Sequence, residues 1–390
     1  VTPAARFAAA IEVLDDVFAG APAERTLTTW ARKNRFAGSK DRAAIRDHVY
    51  DVLRARRSLC AAGGETTARA AILGLLRRDG IPVDSVFGAG GYGPAALSPD
   101  EVEPVHLPQS DAISADLPDW LWPLWQASLG QAAMATAQLM RHRASVYLRV
   151  NLSRGTRDEA IAALARDGIV SKPVDQVKTA IEVIENERKV AGSSAFASGL
   201  VEVQDTASQI AMAQLLPVVG RRVLDYCAGG GGKALALADQ TDAAVYAHDI
   251  DPARMADIAP RALRAGVQVT TLRQTDLIRH APYDLVLCDA PCSGSGTWRR
   301  TPDAKWRLTP QDLDRFSVMQ AEVLENAKPF VAQGGTLAYA TCSVLNSEND
   351  AVVDAFLRKN SDFRRQESLR LLPRAEHDGI FLTTLLKIQP

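Results

Sequence analysis

Long apolar runs, metal-ligand spacings and a phosphate-binding P-loop are all missing from this 390-residue sequence. No stretch approaches the roughly 18 to 20 apolar residues of a membrane-spanning helix, and no secretory signal opens the chain, so neither membrane insertion nor export is expected. The five cysteines include no CxxC pair and no His/Cys ligand spacing, which argues against zinc and predicts no metal. An odd number of thiols fits a reducing cytosol better than a disulfide framework, so a cytoplasmic location is expected. Net charge is also scarce, at −1 formally. That says nothing for or against nucleic acid, because binding depends on a local basic face. No internal repeat and no low-complexity tract is visible.

What is present centres on Asp289-Ala290-Pro291-Cys292-Ser293-Gly294-Ser295-Gly296. It follows an apolar run, Tyr283 to Cys288, that reads as a buried strand. An acid and a thiol just past such a strand sit where open α/β sheets bind ligands. A second thiol, Cys342, follows another apolar run, Gly335 to Ala340, in the same relation to its loop. Two thiols and a carboxylate at neighbouring strand ends suggest covalent chemistry with an acid in support. Between the thiols, Trp298, Arg299, Arg300, Lys305 and Arg307 offer stacking surface and positive charge suited to nucleic acid.

Length predicts two or three domains, and 47% hydrophobic with 23% charged residues is enough to bury a full core. Residues 4 to about 80 read as helical. Phe7, Ile11, Val13, Leu14 and Phe18 share a stripe, Leu27, Trp30, Ala31 and Phe36 suggest a second helix, and Asp41 to Cys60 a third. Arg54, Arg56 and Arg57 at its end are either an RNA-facing patch or a solvated last turn. Cys60 reads as core. Residues 79 to about 116, rich in Gly, Pro and Ser, read as a long exposed loop. Trp120, Trp122 and Trp125 open another helical region, where interdomain packing is favoured over base stacking. From Ser145 a strand and a helix, Thr156 to Arg166, begin a small α+β module; Thr156 with Glu159 forms a capping box. The remainder alternates strand and helix, with strands at Arg222–Tyr226, Ala244–His248, Val267–Leu272, Tyr283–Cys288 and Gly335–Ala340. Doubly wound α/β is the architecture this predicts.

After the first of these strands come Cys227, Ala228, Gly229, Gly230, Gly231, Gly232 and Lys233. Glycines let the backbone pass close to a ligand, and the following helix aims its N–H groups at polar ligand atoms. The second strand ends in Asp249, placed to accept ribose hydroxyls, and Asp276 after the third can bind an adenine amino group. No GxGxxG follows the first strand, so NAD and ATP are poor fits. An adenosine-bearing cofactor without phosphates points to S-adenosylmethionine.

The run Leu224 to Lys233, Asp289 to Gly294 with Arg299, Arg300, Pro302 and Asp303, and Thr341-Cys342-Ser343 together resemble the RsmB/Nop/Sun family of RNA cytosine-5 methyltransferases. The resemblance extends to Val203–Ser208 upstream and Asp378–Phe381 downstream. One departure is Gly230, where the family carries proline, a change expected to loosen the cofactor loop. The resemblance implies a Rossmann-like methyltransferase domain over residues 205–390, a small α+β module over 141–204, and an all-α, NusB-like RNA-binding domain over 1–140. It implies S-adenosylmethionine as cofactor, 16S ribosomal RNA as partner, and a monomer. It assigns attack on cytosine C6 to Cys342 and release to Cys292, with Asp289 on the cytosine edge and beside the cofactor. Lys233 then holds the methionine end or orients Asp289. Cys288 reads as core, and Cys227 lines the loop through its backbone. Two other functions stay open: a DNA cytosine-5 methyltransferase, which would leave Cys342 idle, and a non-catalytic ribosome-assembly factor. An amino-group methyltransferase fits less well, because Asp-Ala-Pro-Cys stands where its Asn/Asp-Pro-Pro-Tyr signature would be.

Overall fold

A computed structural model describes residues 1–102, 110–218 and 220–389. Contacts divide the chain into two units where the sequence suggested three: Val1–Arg143 together with Trp298–Thr309, and Ala144–Thr297 together with the chain from Pro310.

The first unit is helical. Its opening helices are α1 (Pro3–Phe18), α2 (Ala23–Lys33), α3 (Ser39–Arg54), α4 (Arg56–Gly63) and α5 (Ala68–Asp79). Thr2 caps α1 and Thr67 caps α5 through their hydroxyls, and Gly80 ends α5 in the left-handed region, as cap chemistry requires. Phe7, Val13, Leu14, Leu27, Ile45, Val49 and Leu53 form one core. The single helix expected from Asp41 to Cys60 is broken at Ala55, whose φ of −127° and ψ of 35° leave the helical region. The break sends the three arginines to different partners, so neither sequence reading of them holds. Arg54 is buried and donates to the Arg299 carbonyl at 2.8 Å. Arg56 lies over the Phe18 and Trp306 rings, and Arg57 pairs with Asp119 at 2.7 Å. Of the long loop expected at 79–116, residues 103–109 lie outside the described residues; the rest carries short helical turns at Val83–Ser85, Pro99–Val102 and Asp111–Ser114.

The second unit holds two sheets. The smaller is antiparallel in the order β2-β3-β1-β4, from β1 (Val146–Val150), β2 (Val170–Pro173), β3 (Ala180–Glu185) and β4 (Val201–Val203). The Thr156–Glu159 capping box starts the helix Arg157–Arg166 beside it. The larger sheet has the order β10-β11-β9-β8-β5-β6-β7. Its strands are β5 (Arg222–Asp225), β6 (Ala244–Ala247), β7 (Val269–Thr271), β8 (Tyr283–Asp289), β9 (Val331–Thr341), β10 (Phe363–Leu371) and β11 (Ile380–Lys387). β5 to β9 are parallel to one another, whereas β11 pairs antiparallel with both β9 and β10. Leu285, Val286 and Leu287 are wholly buried, which is why β8 reads as an unbroken apolar run. Strand order reverses beside β5, since β6 lies on one side of it and β8 on the other. That crevice is where such sheets bind ligands.

Candidate active site

Both expected cysteine loops leave the carboxyl ends of adjacent parallel strands. β8 and β9 run in register, with Asp289 opposite Ala340. The Ala290 amide donates to the Ala340 carbonyl at 2.9 Å, and the Gly296 amide donates to the Cys342 carbonyl at 2.8 Å. The loops therefore travel together, and Cys292 Sγ lies 3.4 Å from Cys342 Sγ. A Cβ at Gly296 would sit 2.7 Å from the Cys342 carbonyl oxygen and 2.8 Å from Gly379 Cα, so this crossing needs glycine.

The thiols are not equivalent. The hydrogen bond shared with Cys292 lowers the Cys342 pKa below the ordinary thiol range; burial and the Asp289 and Glu348 charges oppose this, and the Lys233 charge assists it. The same bond, then burial, pushes Cys292 well up. Cys342 is the member of the pair that ionises first. Cys288 is wholly buried and Cys227 half-buried, and burial raises both thiols.

Lys233 Nζ reaches Asp289 Oδ2 at 2.5 Å. Burial works against the ammonium, but the charge and hydrogen bond of Asp289 outweigh it and raise the Lys233 pKa. Beneath this pair sits Asp225, a residue sequence reasoning did not single out. It ends β5, is 1% exposed, and neither of its carboxylate oxygens closes a hydrogen bond; the Ala234 amide faces it from the following helix. Burial first, then the Asp289 charge, raise its pKa to about 7. The signal was its place at the strand end before the glycine run.

In that run Gly229 and Gly231 have φ of 51° and 78°, and a Cβ at Gly231 would meet the Ile258 side chain at 2.7 Å. Gly230 is outside the left-handed region, so glycine is not required there. Its carbonyl accepts from the Arg261 guanidinium, a tether the expected loosening did not take into account. Asp249 is buried, accepts from the Gly229 amide at 2.9 Å and pairs with Arg254 at 3.1 Å, so it braces the loop. Asp276 is half-buried beyond β7 and pairs with Arg279 at 3.2 Å. Gln204 Nε2 donates to the Gly232 carbonyl at 3.0 Å. Asp205 accepts from the Ala207 and Asp378 amides, which joins the two far ends of the motif set.

A second feature missed in the sequence is Glu348, which is wholly buried. Its carboxylate accepts from the Ser293 amide at 2.7 Å, the Ser293 hydroxyl at 2.5 Å, the Ser343 hydroxyl at 2.5 Å and Gln320 Nε2 at 3.2 Å. Ser293 and Ser343 each follow a site cysteine, so one anion fastens both loops. Asn349 adds a bond to the Ser343 carbonyl at 2.9 Å. The basic residues between the thiols behave otherwise than expected. Trp298, Arg299 and Lys305 are buried within the helical unit, with Trp298 stacked on Trp125 at 5.8 Å. Lys305 donates to the Arg54 carbonyl at 3.0 Å, and burial lowers its pKa to about 8. A side chain packed this way cannot meet a phosphate. Arg307 pairs with Asp303 at 3.4 Å.

Residues 212–386 match the family model described as 16S rRNA methyltransferase RsmB/F, and residues 117–191 match an RsmF/B-like ferredoxin-like domain. A ribosomal RNA small subunit methyltransferase B of Escherichia coli O7:K1 is 33% identical over 285 residues, covering 69% of this chain and 66% of the relative. One from Salmonella arizonae is 34% identical with the same coverage. The chain thus matches just under two thirds of the length of these relatives. Among solved structures, PH0851 superposes with a TM-score of 0.74 at 23% identity, covering 99% of both chains. A methyltransferase homologue from Pyrococcus horikoshii gives 0.61 at 24% identity, over 71% of this chain and 97% of its own. These likenesses show a Rossmann-like methyltransferase fold with a mixed sheet. Among the described residues no helix is long and apolar enough to cross a membrane, and no group of three or more His, Cys, Asp or Glu could hold a metal.

Proposed function

The chain belongs to the RsmB/F family of 16S rRNA methyltransferases, and we propose that it methylates C5 of a cytosine in small-subunit ribosomal RNA through a covalent adduct at C6. The observation that carries this reading is the pair of thiols 3.4 Å apart at the ends of β8 and β9, beside the Lys233–Asp289 pair.

Cytosine C5 is too electron-poor to act as a nucleophile unaided. The Cys342 thiolate adds to C6, and the electron pair moves toward C5 and N3. Asp289 holds the cytosine edge and keeps Lys233 close to the charge that develops there. S-adenosylmethionine, when bound, supplies the electrophilic methyl group. One feature suits such a ligand: the oxygens of Asp225 lack the cation or donor that an amino acid ammonium brings. Asp225, Gly229 to Gly232 and Lys233 would hold its methionine end, with Cys227 and Ala228 contributing backbone, and Asp249 and Asp276 its nucleoside. Release needs the C5 proton removed so that Cys342 leaves as a thiolate. Cys292 stands beside it at 3.4 Å; once its own thiol proton has passed to solvent, its thiolate takes the C5 proton, the C5–H electrons re-form the C5=C6 bond, and the C6–S bond breaks. The helical unit serves as the NusB-like RNA-binding part of a cytoplasmic monomer. A duplexed target must unpair before its base enters, because the atoms attacked lie inside the stack.

Mapping 5-methylcytosine in 16S RNA from cells with and without the gene tests the reaction. Loss of a single methylated cytosine is the expected result, and an unchanged map would end this reading.

A further inference from the structure

With Arg54 and Lys305 buried, the helical unit needs another basic face if it is to meet RNA. We propose that the groove between α2 and α3 is that face, and that it takes single-stranded RNA, phosphates on its arginines and bases on the aromatics of an adjoining concavity. Arg32 in the last turn of α2, Arg35 in the connecting loop, and Arg42 and Arg46 on successive turns of α3 line one concavity of about 490 Å³. All four are exposed.

The fold itself does not account for this concentration. The helix dipole favours Arg32 at the end of α2 but opposes Arg42 one turn from the start of α3. Like charges at Arg42 and Arg46 sit one turn apart on the same face, which costs helix stability. The nearby acids are largely occupied. Glu24 pairs with Arg46 at 3.0 Å and also takes the Tyr50 hydroxyl, while Asp41 is held by Arg6 at 2.8 Å. Among the described residues Arg32 and Arg35 have no ion-pair partner. A positive groove with unspent guanidiniums matches a polyanion, and a guanidinium fork matches phosphate oxygens.

A second observation selects the kind of polyanion. Phe36, next to Arg35, is 74% exposed, and Tyr92 is 91% exposed. Both line an adjoining concavity that shares Trp30 with the arginine groove. Exposed aromatic rings beside a basic track stack unpaired bases with little regard to sequence. A duplex would offer no free base faces, and an acidic protein would have no use for the rings beside the charge. The inference rests on the reading of this chain as an RNA methyltransferase and adds where the helical unit grips its substrate.

The test measures binding of the full chain to a labelled single-stranded RNA of roughly 16 nucleotides across a salt series. If Arg32 and Arg35 each neutralise a phosphate, Arg32→Gln/Arg35→Gln should shrink the log–log salt slope by about 1.4 and weaken binding about 25-fold at 0.1 M salt. Phe36→Ala should weaken binding roughly fivefold or more without changing the slope, because stacking releases no counter-ion. Arg358→Gln/Lys359→Gln, an equal charge change at two exposed positions of the other unit, should leave the slope unchanged. Equal slopes for wild type and the Arg32/Arg35 variant would overturn the proposal, as would an equal loss in the control. Arginine-dependent binding of polyglutamate without any change toward RNA would replace RNA by an acidic protein. Methylation by the wild-type chain is assayed in parallel. If it fails while the slope still shrinks, the parent reading falls and the groove stands.

Discussion

At the scale of single residues, the site works by making like groups unlike. Two cysteines share one hydrogen bond, which lowers the Cys342 pKa and raises that of Cys292. Cys342→Ala should therefore abolish both methylation and any covalent protein–RNA complex. Cys292→Ala should still add and transfer, then stall, and give a slow-migrating band on a denaturing gel with labelled RNA. The opposite assignment of bands would make Cys292 the nucleophile. Asp225 gives a pH prediction whose sign follows from burial. Its pKa rises from 3.8 to about 7 on folding, so the folded state prefers the protonated form. The stability it contributes is fully present below about pH 4 and is lost as pH rises toward 7. The loss is on the order of 4 kcal/mol at most, from about three units at 1.36 kcal/mol each. Asp225→Asn should melt higher than wild type at pH 8, with the gap closing at pH 4, and should bind S-adenosylmethionine more weakly. A melting difference independent of pH would contradict this account of the buried carboxylate.

At the scale of elements, the thiol geometry depends on how two loops are fastened. Glu348 is the shared acceptor for the Ser293 amide, two serine hydroxyls and Gln320. Glu348→Ala removes the acceptor of the buried Ser293 amide and one acceptor from each serine hydroxyl and from Gln320, which keeps the Pro291 carbonyl, at roughly 1 to 3 kcal/mol for each group left unsatisfied. It should lower stability by at least about 3 kcal/mol and lower kcat far more than it changes cofactor affinity. Glu348→Gln, which keeps the shape and one acceptor oxygen, should recover most of the stability. Calorimetry and single-turnover methylation would separate the two effects. The antiparallel pair β10 and β11 was not read from the sequence. β10 runs Phe-Arg-Arg-Gln-Glu-Ser-Leu-Arg-Leu and carries a register shift between Arg365 and Ser368. An edge strand with one side in solvent and a bulge loses the two-residue alternation that identifies a strand.

At the scale of the whole molecule, the division of the chain does not follow sequence order. Trp298–Thr309 lies between Cys292 and Cys342 in sequence yet packs in the helical unit, where Trp298 meets Trp125 and Lys305 meets Arg54. Trp298→Ala should destabilise that unit by about 3 to 5 kcal/mol, the usual cost of emptying a buried tryptophan site. A fragment ending at Arg143 would expose Trp125 and leave the Arg54 guanidinium without its carbonyl partner. It should melt lower than the same unit in the full chain, by differential hydrogen exchange at α3. Equal protection of α3 in both would show that the segment contributes nothing to the unit.

The sequence by itself determined the parallel core and the placing of two thiols and an acid at its strand ends. Buried strands read as apolar runs because both faces are covered, and a thiol or acid that follows such a run must lie at a strand end. It could not determine that Asp225 is unpartnered, that Glu348 joins two loops whose serines lie 50 residues apart, or that Arg299 and Lys305 are spent inside the helical unit. Each of these is a statement about which distant groups share a low-dielectric space. A charged residue has the same letter whether it faces water or a carbonyl, and only the packed chain decides between them.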